Sequence, residues 1–388
     1  MTVTAAKGFR ASGVIAGLKA SGNADLALVV NDGPLDVAAG VFTSNRFQAA
    51  PVQWTQQAVK DGQIRAVLLN SGGANACTGP GGFADTHHTA ERVAEVLTAQ
   101  GADVGPGDVA VCSTGLIGER LPMGKLMAGV LAAAHGLDSE GGPSAAEAIM
   151  TTDTVPKVAS VTIDGFTVGG MAKGAGMLAP GLATMLVVIT TDAEVTPEQA
   201  DQSLREACAL TFDRIDSDGC MSTNDTVLLL ASGASGVLPE AVVFADAVTE
   251  VCSDLARQLI GDAEGASKDI EIAVDGAAST PDALDVARAI ARSNLLKCAV
   301  HGEDPNWGRV LSAIGTTSAV FEPDSVDVAI NGVWVCASGS IGESRDLVDM
   351  STRHVRITVN LNAGEERATI WTNDLTADYV HENSAYAT

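Results

Sequence analysis

A chain of 388 residues is long enough for two ordinary domains or one large intertwined one, and this one is rich in glycine and alanine and poor in aromatics. Lys and Arg total 23 against 48 Asp and Glu, a formal net charge of −25, which argues against nucleic acid or an anionic membrane as partner and reads first as a solvated surface. The N-terminal MTVTAAKGFRASG lacks the continuous apolar core of a signal peptide, and no apolar run approaches the ~20 residues that span a bilayer, so a cytoplasmic protein is expected. Seven cysteines without a CxxC pair suit reduced, buried thiols better than a disulfide framework. No metal is expected: the adjacent His87 and His88 would point about 100° apart on a helix and cannot share a ligand face.

In chain order, residues 26–30 and 64–69 read as short strands and VAVCS at 109–113 as another. Between them, Ala84 to Gln100 carries a helical period with Val93, Val96 and Leu97 turned inward. The loop Asn70 to Gly82 is dense in Gly and Asn. It lacks the Lys-Ser/Thr ending of a P-loop and the spacing of a dinucleotide fingerprint, so it reads as turn chemistry lining a site. Ser113-Thr114-Gly115 follows a strand and precedes a helix starting near Pro122. By local pattern this is an ordinary turn, although a Thr hydroxyl beside an exposed glycine N–H makes two convergent donors. A helix over Ser144 to Met150 runs into TTDT at 151–154, polar residues that normally cap and turn.

The stretch that the rest of the chain serves is Lys173 to Asp192, KGAGMLAPGLATMLVVITTD. Gly174, Gly176, Pro180 and Gly181 keep its first half out of regular structure, and Met185 to Thr191 is an apolar, β-branched run of buried-strand length. The junction is Ala183-Thr184. A hydroxyl residue at the mouth of a buried strand, preceded by a small residue in a Gly/Pro-rich loop, is where a chain can cut itself. The hydroxyl attacks the preceding carbonyl, the amide becomes an ester, and water removes it. Thr184 is then left with a free amine, whose titration near 7.7–8.0 suits it to serve as its own base. Locally, a Thr opening a strand is more often structural, and a Lys beside glycines is more often solvated.

Further on, Pro197 to Leu210 reads as a helix with an acidic start, STNDT at 222–226 as a polar turn that could face the site but has no role assigned, and Val227 to Ala231 as a buried strand. A long helix from Glu240 to about Ile260 ends at GDAEGASK, where Glu264 would by default be exposed. Pro281 to Asn294 looks helical, and HGEDPNWGRV at 301–310 reads as a packed turn rather than a ligand clamp of Trp307 and Arg309. Alternating segments from Val326 onward read as antiparallel strands, and the tail ENSAYAT, without apolar periodicity, is expected to fray. The alternation lacks the clean βαβ spacing of a doubly wound sheet and implies an α/β fold of mixed or mainly antiparallel sheets covered by helices.

Ordered blocks along almost the whole chain change several of these readings. They are NSGGANACTG at 70–79, CSTGLIGE at 112–119, AIMTTDT at 148–154, the KG-G-M--P--ATML pattern at 173–186, STNDTV at 222–227, DAEGASK at 262–268, DPNWGRV at 304–310 and ENSAYAT at 382–388. With them the chain resembles the ornithine acetyltransferase family of arginine biosynthesis, whose members cut themselves at an Ala-Thr bond. The resemblance implies an αββα-layered fold, of N-terminal-nucleophile type but distinct topology, shared with DmpA. Cleavage would give an α chain, 1–183, and a β chain, 184–388, sharing one intertwined core.

By the same resemblance Thr184 is the nucleophile, Ala183 its cleavage partner, and Thr114 (side chain) with Gly115 (backbone N–H) the oxyanion donors. Thr151, Lys173, Glu264, Asn383 and the terminal Thr388 join Thr184 in binding substrate. Lys173 suits a carboxylate and Glu264 an ammonium group. The implied reaction moves acetyl from N-acetylornithine to glutamate, giving ornithine and N-acetylglutamate by way of acetyl-Thr184. One amide becomes another, so no cofactor is needed. Acetyl-CoA stays open as a second donor, an α2β2 heterotetramer is the implied assembly, and an acidic surface suits cationic ornithine. The rival reading is an N-terminal-nucleophile amidohydrolase or aminopeptidase of related fold, in which water is the acceptor.

Overall fold

Strands form where apolar and β-branched residues run together, and helices where apolar residues recur every three to four positions. In the computed structural model, which describes residues 2–178 and 185–385, the chain begins with strands β1 (Phe9–Val14), β2 (Leu26–Asn31) and β3 (Val37–Phe42), helix α1 (Ala50–Ala58), β4 (Ala66–Asn70) and the long helix α2 (Gly79–Ala99). Next come β5 (Val109–Ser113), α3 (Met123–His135), α4 (Gly142–Ala148), β6 (Lys157–Ile163) and β7 (Phe166–Lys173). Then follow β8 (Leu186–Thr191), α5 (Pro197–Leu210), β9 (Thr226–Ala231) and α6 (Ala241–Gly261). The last part contains β10 (Asp269–Ala277), α7 (Thr280–Ala291), α8 (Asn294–His301), α9 (Trp307–Ile314), β11 (Asp327–Ile330), β12 (Val333–Ala337), β13 (Ser340–Ile341), β14 (His354–Asn360), β15 (Glu366–Asn373) and α10 (Ala377–Ala385).

Two sheets stack. One runs β1-β2-β4-β5 and the other β3-β9-β8-β7-β6. Val29, Val67 and Leu69 from the first meet Met171, Val188 and Leu228 from the second in one apolar layer. The outer face of the first sheet is covered by Val93 and Leu97 of α2 and Val130 of α3, and that of the second by Leu204 of α5 and Val248, Val251 and Leu255 of α6. The order is therefore helix, sheet, sheet, helix, the expected αββα layering. A third sheet, β13-β12-β11-β14-β10-β15, packs with α7 and α9 around its own core, with Ile272, Ile290, Val310 and Ile357 at its centre.

Several expectations are corrected. The helix expected from Ala84 begins at Gly79, because Pro80 in the first turn needs no N–H partner and its fixed φ suits the start. Trp307 opens α9, and its preceding Asn306 side chain accepts from the Arg309 N–H, so the 301–310 turn is shorter than expected; Arg309 itself donates to the Leu295 carbonyl at 2.6 Å, a packed arrangement. The strands from Val326 onward that pair with one another do so antiparallel, as expected, but β14 also pairs parallel with the earlier β10, which pairs antiparallel with β15. Cys112, Cys208, Cys252 and Cys336 are buried as expected, whereas Cys77, Cys220 and Cys298 are exposed. No helix among the described residues is long and apolar enough to cross a membrane.

β7 and β8 are adjacent antiparallel strands, with Lys173 opposite Leu186, and β8 pairs parallel with β9. The interval containing Ala183-Thr184 thus joins two neighbouring strands at the middle of the second sheet. Segments before and after it share both the inter-sheet layer and the outer core.

Candidate active site

The ends of β5, β7, β8 and β9 converge. Ser113-Thr114-Gly115 leaves β5, and the turn is held by the loop after β4: Thr114 N–H donates to the Asn70 carbonyl at 2.9 Å, and Gly73 N–H to the Thr114 carbonyl at 3.0 Å. Gly115 sits at φ 128°, and a Cβ there would lie 2.7 Å from the Gly73 nitrogen, so only glycine brings its backbone this close. Asn224, at the mouth of β9, donates through Nδ2 to the Ala74 carbonyl at 2.6 Å and the Ser113 carbonyl at 2.8 Å. It fastens the two loops together. The Gly/Asn-rich loop therefore does line the site, as its turn chemistry implied.

Lys173 ends β7 and is 1 % exposed, against the solvated default for a lysine among glycines. Its Nζ donates to Thr114 Oγ1 at 3.4 Å. An oxygen that accepts from a cation keeps its own proton to donate, which orients the Thr114 hydroxyl as a donor. Burial pulls the Lys173 ammonium below the usual lysine range, with Lys157 adding to the effect, while Asp153, Asp225 and Glu264 favour the charge.

Behind Lys173 lies a buried ion network. Asp153 accepts from Lys157 Nζ at 2.6 Å, from Gly174 N–H at 2.6 Å and from Thr151 N–H at 2.9 Å, and Lys157 reaches Asp262 as well. Burial works against ionisation of Asp153, but Lys173, Lys157 and the Thr151 amide together outweigh it and hold the carboxyl at about 2. The network fixes the loop that carries Gly174 and the charge that faces Lys173.

Glu264, in the turn after α6, is half-buried. Its backbone N–H donates to Ala175 at 2.9 Å, and a Cβ on Gly176 would come within 2.6 Å of its Oε2, which accounts for the glycine there. Oε1 accepts from the Thr152 hydroxyl at 2.7 Å, and Oε2 from Asn383 Nδ2 at 2.9 Å. The tail as far as Ala385 does not fray: it forms α10, whose Tyr379 hydroxyl donates to Asp218 at 3.3 Å, and Asp218 also accepts from Met177 N–H at 2.8 Å. Thr151 is exposed, with its hydroxyl 3.5 Å from Asp153.

Of the residues singled out from the sequence, Thr114, Gly115, Lys173, Glu264 and Asn383 converge on one place and Thr151 borders it. Ala183, Thr184 and Thr388 lie outside the described residues. The chain resumes at Met185, whose N–H donates to Asp225 Oδ1 at 3.0 Å, so the described structure begins again inside the site. Sequence reading missed Thr152 and Asp153, and gave Asn224 and Asp225 no role although their turn was read as one that could face the site. The signal for the last two was STNDT, polar residues immediately before a fully apolar strand.

The sequence model of the ArgJ family matches residues 10–388. The arginine biosynthesis bifunctional protein ArgJ of Streptomyces coelicolor is 68% identical over 387 residues, covering 100% of both chains. That of Thermobifida fusca is 63% identical over 388 residues, again covering 100% of both. The protein of the same name from Mycobacterium leprae is 59% identical over 390 residues, covering 99% of this chain and 95% of its own.

Proposed function

This chain belongs to the ArgJ family, and from that premise we propose that Thr184 is both the residue at which the chain cuts itself and the nucleophile that carries acetyl. The protein is an ornithine acetyltransferase of arginine biosynthesis, an acyltransferase. Cleavage at Ala183-Thr184 would give chains 1–183 and 184–388 that stay interleaved through the β7-β8 pairing, in an α2β2 assembly located in the cytoplasm.

The reading of the site is supported by one observation above others: a fully buried lysine that touches the Thr114 hydroxyl, beside the strand that opens two residues after Thr184. Thr184 Oγ attacks the acetyl carbonyl of N-acetylornithine while its amine takes the hydroxyl proton and passes it to the leaving nitrogen. The Thr114 hydroxyl and the Gly115 N–H hold the tetrahedral oxyanion. Glutamate then enters, and the same steps run in reverse from acetyl-Thr184. Lys173 receives the α-carboxylate that both partners share, and Glu264 faces the ammonium of ornithine, with Asn383, Thr151 and Thr388 closing around them. Keeping water away from the ester directs acetyl to glutamate rather than to acetate.

The relatives are named bifunctional, which supports acetyl-CoA as a second acetyl donor here. Labelled N-acetylornithine alone should add one acetyl mass to the 184–388 fragment, and glutamate should remove it. Acetyl-CoA should load the same fragment. Release of acetate without a requirement for glutamate would sink the transferase reading in favour of hydrolysis.

A further inference from the structure

The segment TTDT at 151–154 follows α4 and leads into β6, and the proposed acetyl transfer uses only its first residue. The other three each tie this segment to another part of the site. Asp153 accepts from Gly174 N–H at 2.6 Å, and Thr154 N–H donates to Asp262 at 2.9 Å. Between them the half-buried Thr152 donates its hydroxyl to Glu264 Oε1 at 2.7 Å. The other oxygen of that carboxylate accepts from Asn383 Nδ2 at 2.9 Å.

Two neutral donors, one on each oxygen, therefore hold Glu264. A carboxylate offers about four lone-pair sites, so each oxygen keeps one with which to accept from an ammonium group. Gly176 packs against the carboxylate without a side chain to wall it in. A half-buried glutamate has rotamer freedom to lose, and here its hydrogen bonds are what fix the head. Bonds to a charged group are the stronger kind, and their geometry sets where the remaining lone pairs aim.

We propose that Thr152 is a positioning residue for substrate choice: its hydroxyl aims the Glu264 carboxylate at the side-chain ammonium of N-acetylornithine. The inference rests on the reading above that Glu264 receives this ammonium. In N-acetylornithine the α-nitrogen is acylated, so the side-chain nitrogen is its one cation, and glutamate carries a carboxylate at that end instead. The contact is thus made with one of the two partners. The backbone does not need the Thr152 hydroxyl to stay in place, because Thr151 N–H donates to Asp153 at 2.9 Å and Glu264 N–H to the Ala175 carbonyl at 2.9 Å. Removing the hydroxyl frees the carboxylate and spares the loops.

The test is steady-state transfer to glutamate from two donors, N-acetylornithine and N-acetylnorvaline, which has the same three-carbon side chain without the ammonium. Thr152→Val keeps the shape and loses the hydroxyl. Its kcat/KM for N-acetylornithine should fall about tenfold, chiefly through KM, while that for N-acetylnorvaline and the KM for glutamate stay within about twofold of wild type. The preference for the charged donor then shrinks about tenfold, and Thr152→Ser should restore it. In a Glu264→Gln background Thr152→Val should cost nothing further, since its effect runs through that carboxylate. An unchanged preference in Thr152→Val overturns the proposal, as do equal losses with both donors, the mark of a general distortion of the site. Should the Val side chain prevent folding, Thr152→Ala reads the same ratio. A wild-type enzyme with no preference for the charged donor, or one whose preference survives Glu264→Gln, overturns instead the placement of Glu264 on which the proposal rests.

Discussion

The cluster at the ends of β5, β7, β8 and β9 and the core of the C-terminal sheet are buried by opposite means. Around β10 and β14 the interior is Ile270, Ile272, Val274, Val355, Ile357 and Val359, apolar side chains alternating with outward polar ones. At the ends of β5, β7, β8 and β9 the buried side chains include Thr114, Asp153, Lys157, Lys173, Asn224 and Asp225. The first region is held by area removed from water, at about 25 cal/mol per Å². In the second, desolvated charges are retained at a cost to stability, and they give the site a lysine with a depressed pKa, Lys173, beside a carboxyl with a raised one, Asp225. Stability and chemistry are thus concentrated in different parts of one chain, and substitutions should separate them.

The largest effect is expected from Thr184→Ala, which should leave a single chain of 39.4 kDa without transfer activity and with a thermal transition close to that of the wild type. Intact mass and calorimetry check both halves of the statement. Asp153→Asn touches stability and chemistry at once. It strips the anion from Lys157 and Lys173, leaves two buried cations under-compensated, and should cost about 3–5 kcal/mol in urea denaturation along with activity. Because the folded Asp153 sits at about 2, below its ordinary 3.8, its contribution is complete above about 3.8 and is lost as pH falls toward 2. Acid denaturation of the variant should lack that component, and an unchanged acid limb would show the network to be of no consequence.

Thr114→Ala should lower kcat by about 10²–10³ with little change in stability, since it removes one of the two proposed oxyanion donors. Ile272→Ala reverses the pattern. It opens a cavity in the C-terminal core and should cost about 2–5 kcal/mol, while the fraction that stays folded keeps the wild-type kcat/KM. A matching loss of kcat there would break the comparison, because it would mean that the C-terminal sheet tunes the site directly.

The same contrast governs what could be read in advance. Apolar runs and alternation located β2, β4, β5, β8, β9, β14 and β15 within a residue or two, since burial on one or both faces leaves its period in the sequence. The parallel pairing of β14 with β10 leaves no such mark, because which strand lies beside which is a long-range pairing that the period of a single strand does not record. At the strand ends, Thr114, Gly115, Lys173 and Glu264 were reachable only through motif resemblance. Asp153, Asn224 and Asp225 look like turn residues in the sequence, and only the convergence of four strand ends buries them.

The smallest predicted effect concerns α10, where sequence periodicity implied fraying and the structure has a helix. Its anchoring is polar: Tyr379 to Asp218 at 3.3 Å, the Thr376 hydroxyl to the Gly265 carbonyl at 2.6 Å, and Asn383 to Glu264 at 2.9 Å. No residue of this helix is buried, so its end contributes to neither apolar core. Deleting residues 383–388 removes the Asn383 bond to Glu264 and spares the other two contacts. A hydrogen bond to a charged group contributes about 1.5–3 kcal/mol, and part of that would be regained by water at a half-exposed carboxylate. KM for N-acetylornithine should therefore rise about tenfold while kcat and the urea midpoint stay near the wild-type values, the pattern of lost ground-state binding. Asn383→Ala should reproduce most of the change. A truncated protein with wild-type KM would remove the tail from the site, and one with a collapsed urea midpoint would place α10 with the cores instead.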